Sequence, residues 1–151
     1  MGVGNTLLQD DGVGIHVTEQ LRRTEEISDG TSYIDGGTLG LSLLPALEDA
    51  DALIIVDAAE LDASPGTVRV FRDAEIQRLL HSRKQSVHEV AVSDLLAAAT
   101  LRGTCPVNRA LVAIQPGCTD LGLEPTEAVR AAIPTACEAV SQLTRDYRHE
   151  A

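Results

Sequence analysis

The run Ala52-Leu53-Ile54-Ile55-Val56-Asp57 decides the fold. Its unbroken apolar stretch leaves no polar face. Such a segment is a strand buried on both sides, as parallel sheets sandwiched between helices require. The strand closes on a carboxylate. Open parallel sheets bind their ligands beyond the carboxyl ends of the strands, so Asp57 stands where a functional group belongs. An aspartate that starts a loop also caps local backbone groups. Both readings stay open on this segment alone.

Working outward, Ala110-Leu111-Val112-Ala113-Ile114 is a second run of the same kind. Thr31 to Ile34 and Thr67 to Phe71 read as further strands. The first is ended by a turn at Asp35-Gly36-Gly37, and the second is preceded by the turn residues Pro65-Gly66. Val13, Val17 and Leu21 recur at helical spacing, and Leu39 to Leu47 does so despite Pro45. A short helix is expected around Ile76 to Leu80 and another through Val92, Leu95, Leu96 and Ala99. Pro125 suits a helix's first turn. Val129, Ile133, Cys137, Val140 and Thr144 then line one face of a long final helix, with a kink expected at Pro134. Strands alternating with helices predict a single α/β domain over residues 1–151. Its expected form is three layers, α/β/α, around a twisted, mostly parallel sheet.

Composition narrows the function. The chain has 151 residues, 44% of them hydrophobic, and a formal net charge of −11. That field repels phosphate backbones and anionic membranes. Aromatics are only 2% of the residues, too few for base-stacking platforms. Nucleic acid is therefore not an expected partner. No apolar run reaches the roughly 18 residues of a membrane span. The opening Met-Gly-Val-Gly-Asn does not read as a secretory signal. Cys105, Cys118 and Cys137 form no CxxC pair, which suits a reducing compartment, the cytoplasm.

Three places carry chemistry. Gly2-x-Gly4 begins like a dinucleotide fingerprint, but Leu7 occupies the third glycine position, so a tight turn is the stronger reading. Asp10-Asp11-Gly12-Val13-Gly14 puts two carboxylates before a helix, where one can cap while its neighbour points elsewhere. His88, in Ser86-Val87-His88-Glu89, is expected in a loop just ahead of a helix. Asp11, Asp57 and His88 together would form an oxygen, oxygen, nitrogen ligand set with positions left open for water or substrate. Taken singly, each also fits an ordinary cap or surface role. His16, His81 and His149 lack such company. Cys118 as a nucleophile with His88 as its base is a weaker alternative, since nothing in the sequence marks an activated thiol.

The segment Gly2-Val-Gly-Asn-Thr-Leu-Leu-Gln-Asp-Asp-Gly-Val-Gly14 resembles the opening motif of the nickel-iron hydrogenase maturation endopeptidases. Further matches follow in order: Asp35-Gly-Gly-Thr-Leu-Gly40, Leu53-Ile-Ile-Val-Asp57-Ala58, Pro65-Gly66-Thr67, Ser86-Val-His88 and Ile114-Gln115-Pro116. The resemblance implies a twisted sheet flanked by helices. It implies an endopeptidase that removes a C-terminal extension from the hydrogenase large-subunit precursor after nickel insertion, the nickel arriving with that precursor. It carries the catalytic and metal-contacting roles onto Asp11, Asp57 and His88, and it suggests a monomer. Gly36, Gly37 and Thr38 are expected to shape the cleft wall that receives substrate.

A non-catalytic nickel-binding maturation chaperone with the same ligands is the alternative. The chain departs from the family pattern in two places. Only Met1 precedes the glycine loop, so the family's first strand is expected to be missing. Gly117-Cys118 also follows Gln115-Pro116 where a more acidic continuation is usual.

Overall fold

A computed structural model of the chain describes residues 1–24, 30–81 and 87–150, with the backbone alone at 81, 87–90 and 150. Among these residues five strands form one sheet in the order β2-β1-β3-β5-β4. They are β1 (Gly2–Val3), β2 (Asp35–Gly37), β3 (Ala52–Ala58), β4 (Val68–Arg72) and β5 (Asn108–Ile114). β3 is parallel to β1 and to β5, and β1 is parallel to β2. Only β4, at one edge, runs antiparallel, against β5. The helices are α1 (Val13–Thr24), α2 (Leu44–Glu48), α3 (Ala74–His81), α4 (Val87–Arg102) and α5 (Glu127–Glu150).

The expected layers follow from side-chain alternation along the strands. Leu53 and Ile55 of β3 join Val3 and Leu111 in a core closed by Leu47, Val92, Leu95 and Ala99. That is the α4 side. Val56 and Ala58 of β3 join Val112 and Ile114 in a second core, closed by Val13, Val17 and Leu21 of α1 and by Val129, Ala136, Val140 and Leu143 of α5. Both faces of the sheet are thus covered, as the apolar run at residues 52–56 requires. Among the described residues no helix is long and apolar enough to cross a membrane.

Several boundaries differ from expectation. The strand expected at Thr31 to Ile34 falls instead on Asp35–Gly37, so Gly36 and Gly37 belong to β2 rather than to a turn beyond it. The segment from Leu39 to Leu47 splits into a 3₁₀ turn at Gly40–Leu43 and the short α2, with Pro45 tolerated in the first turn of α2. Pro125 lies before α5 rather than in its first turn, and α5 continues through Pro134, which is on its exposed side. The first strand is not absent. β1 lies between β2 and β3 and is two residues long, pairing with β3 at Gly2 opposite Val56.

Candidate active site

The carboxyl ends of the parallel strands meet at one rim, and four loops leave from it. The loop after β1 needs glycine at its turn. Gly4 has φ +132°, and a Cβ there would run into the Asp11 carbonyl oxygen. A 3₁₀ turn at Gln9–Gly12 then carries Asp10 and Asp11 into α1. Gly14 lets that helix lie directly on the sheet, because a Cβ there would collide with the carbonyl oxygen of Val56.

Asp10 and Asp11 divide their labour. Asp10 is fully buried. Its Oδ2 accepts hydrogen bonds from the backbone N–H of Gly117 (2.8 Å) and Cys118 (2.9 Å) and from the Thr126 hydroxyl (2.8 Å). Its Oδ1 accepts from the Thr126 N–H at 2.6 Å. One carboxylate therefore ties the loop after β1 to the loop after β5 and to the residue that enters α5. Burial pushes the Asp10 carboxyl up. The donors from Cys118, Thr126 and Gly117 outweigh it and hold the group below the usual carboxylate range. Asp11 is half-buried, and its Oδ2 accepts from the Asn5 N–H at 3.0 Å.

Asp57 is buried, 3% exposed, near the carboxyl end of β3 and opposite Ala113 of β5. Alternation puts its side chain on the face of Leu53 and Ile55, the face that α4 covers. The loop after β3 is held by Gln115, itself buried. Its Oε1 accepts from the Leu61 N–H at 2.7 Å, and its Nε2 donates to Glu60 Oε2 at 3.1 Å.

His88 is not in a loop. It falls in the first turn of α4, because Val87–Arg102 is one continuous helix. Its side chain lies outside the described residues. One turn further along, Ala91 packs 3.5 Å from where a Cβ on Gly40 would sit. The start of α4 therefore lies over the loop after β2, at the same rim as Asp11 and Asp57. Among the described residues no three His, Cys, Asp or Glu side chains form a metal-binding cluster.

The cleft residues separate. Gly36 is buried beneath Met1 and Leu43. Gly37 (φ +47°) accepts at its carbonyl from the Gly4 N–H at 3.0 Å, and Thr38 is exposed. Cys118 offers little as a nucleophile. Its Sγ lies 3.4 Å from Asp120 Oδ2, a carboxylate, whereas thiols are activated by cations, helix N-termini or a base. Of the residues that build the rim, Gln115 and Thr126 had no role assigned by sequence reasoning, and Asp10, read as one of a pair that could cap the helix, instead ties the loops together. For Gln115 the available signal was a polar residue directly after a buried apolar strand.

A profile of the hydrogenase maturation protease family matches residues 15–143. The chain belongs to that family. The protease is 36% identical to the hydrogenase 2 maturation protease of Escherichia coli, over all of this chain and 92% of that one. It is 34% identical to the hydrogenase expression/formation protein HupD of Bradyrhizobium diazoefficiens, over 97% of this chain and 77% of that protein. Against HupD of Rhodobacter capsulatus the identity is 38%, but the match spans only 55% of that protein's length. The fold superposes on the hydrogenase maturating endopeptidase HybD of E. coli with a TM-score of 0.90 at 34% identity, covering 96% of this chain and 90% of that one. The nickel-iron hydrogenase maturation protease HybD of Thermococcus kodakarensis follows at a TM-score of 0.77 and 25% identity, over 94% of this chain and 95% of that one. The chain is thus a member of a family of endopeptidases, built on a mostly parallel sheet flanked by helices.

Proposed function

We propose that this protease removes the C-terminal extension of a nickel-iron hydrogenase large-subunit precursor and reads the precursor's nickel as the signal to cut. In this reading Asp11, Asp57 and His88 reach the nickel at its vacant coordination positions. The metal is cargo, brought by the substrate. One observation carries the proposal: Asp57 is a buried carboxylate at the carboxyl end of a central strand, on the face α4 covers. A carboxylate held there stands where open parallel sheets place their ligands, a position suited to a cation that arrives with its own ligands. Two carboxylates and an imidazole also match the donors a borderline metal such as nickel accepts.

The chemistry that follows is hydrolysis of one peptide bond. Gripping the nickel fixes the scissile bond against the rim, and positioning of this kind is worth several kcal/mol. Water adds to the carbonyl carbon with general-base help, and the departing amine takes up the proton. Gly37 and Thr38 border the path of the substrate backbone, with the buried Gly36 beneath them. The reading also places the protein in the cytoplasm as a monomer.

The test is a mass measurement. Nickel-loaded and nickel-free precursor are incubated with the protease, and only the loaded one should lose its extension. Asp57→Asn and His88→Ala should each abolish the loss while the far-ultraviolet circular dichroism stays unchanged. If nickel-loaded precursor is bound but keeps its full mass, the chaperone alternative takes the place of this reading. If His88→Ala cuts normally, the ligand assignment is wrong.

A further inference from the structure

The loops after β1 and β5 meet beyond the carboxyl end of the sheet. Leu8 and Gly122 form a parallel bridge between them. The Gly122 N–H donates to the Leu7 carbonyl and the Gln9 N–H to the Gly122 carbonyl, both at 2.9 Å. β1 and β5 flank β3, so the joined loops cross its carboxyl end. They cross on the face that α1 and α5 cover, because each loop runs into one of those helices.

Side chains alternate along such a pair of segments. Leu8 and Gly122 share one side, and Leu7, Leu121 and Leu123 fall on the other. That other side is open: Leu7 is 56% exposed, Leu121 83% and Leu123 66%. The backbone beneath them is fixed nonetheless. The Leu7 N–H donates to Asn5 Oδ1 at 2.9 Å, and the Asp10 N–H donates to the Cys118 carbonyl at 3.1 Å. A loose loop can fold its leucines under, but this one is bonded in place. Large side chains grouped and held out in this way mark a contact surface, unlike leucines scattered singly. Carboxylates frame them in the run Asp120-Leu121-Gly122-Leu123-Glu124, where Asp120 and Glu124 are both exposed. Asp120 Oδ2 lies 3.4 Å from Cys118 Sγ. Glu124 meets Arg130 at 3.6 Å, a largely exposed pair that solvent screens. An apolar centre with a charged border is the anatomy of a protein interface.

We propose that Leu7, Leu121 and Leu123 form a docking platform for the folded body of the precursor, entering an apolar hollow on it that basic residues border. The inference rests on the reading that this chain cuts that precursor. Two observations choose the occupant. Side chains that stand out from a surface need a hollow to enter, which a folded body offers, whereas an extended tail itself needs a groove. The platform is also continuous with the site. Asn5 joins the two, its N–H donating to Asp11 Oδ2 at 3.0 Å while its own Oδ1 holds Leu7. A body gripped at its nickel therefore meets these leucines with the same face. The carboxylate border, on a chain of net charge −11, selects a basic surround. The leucines act on encounter and orientation, not on the chemical step.

The test uses the full chain and nickel-loaded precursor. Leu121→Ser with Leu123→Ser should raise KM about tenfold and leave kcat within about twofold. Leu121→Met with Leu123→Met should restore KM. Leu101→Gln, 90% exposed near the far end of α4, should change neither. The KM of the natural chain should rise with salt, and rise less after Asp120→Asn with Glu124→Gln. With Leu121→p-benzoylphenylalanine, ultraviolet light should join the protease to the precursor body, as mapped by mass spectrometry. An unchanged KM in the serine variant, with or without a fall in kcat, overturns the proposal. So does cross-linking to the extension, or between two copies of this chain. A KM indifferent to salt overturns the basic border. Failure of the natural chain to cut the loaded precursor overturns instead the reading on which the platform rests.

Discussion

Two neighbouring aspartates do unlike things because of the donors that face them. Asp10 collects four hydrogen bonds from Gly117, Cys118 and Thr126, while Asp11 accepts from the Asn5 N–H and stays half-buried beside the rim. Asp10→Asn keeps the shape but weakens charge-assisted bonds and sets an amide N–H₂ against backbone donors. The expected cost is about 2 kcal/mol, read from urea unfolding, with secondary structure retained. Asp10 is held below its ordinary range in the folded chain, so its contribution is present above the unfolded carboxyl value. It is lost as acid carries the pH down through the folded one. The variant should therefore flatten the acid limb of the stability profile. Sequence reading found the Asp10–Asp11 pair and the end-of-strand Asp57, because each follows from adjacency or periodicity. It could not see that Gln115 and Thr126 complete the rim. Their partners lie 54 and 116 positions away, and single-sequence patterns carry no information about contacts at such separation.

Among the elements, the buried strands β3 and β5 and the helices α1 and α5 lie close to where periodicity puts them. The misplacements have physical causes. β2 is short and polar at its start, so no alternating pattern marks it, and its pairing with β1 decides its limits. α4 begins earlier than its apolar stripe, which moves His88 from loop into helix. The approach of α1 to the sheet turns on Gly14. Gly14→Ala should cost about 3 kcal/mol or more, since the new methyl meets backbone on two strands and cannot turn away. Gly103→Ala is the control. Nothing crowds that site, and only its φ of +71° opposes a side chain, so about 1 kcal/mol is expected. Chemical denaturation of the two variants side by side reads the difference.

At the scale of the whole molecule, helices cover both faces of the sheet, so its edge strands β2 and β4 are what the sheet presents to other chains. The sheet's outer edges are poor templates for a stranger. β2 has three residues, and β4 carries Arg69 and Arg72. Arg69→Val with Arg72→Val would strip the guard from the β4 rim, and light scattering on warming should then show clumping that the natural chain resists.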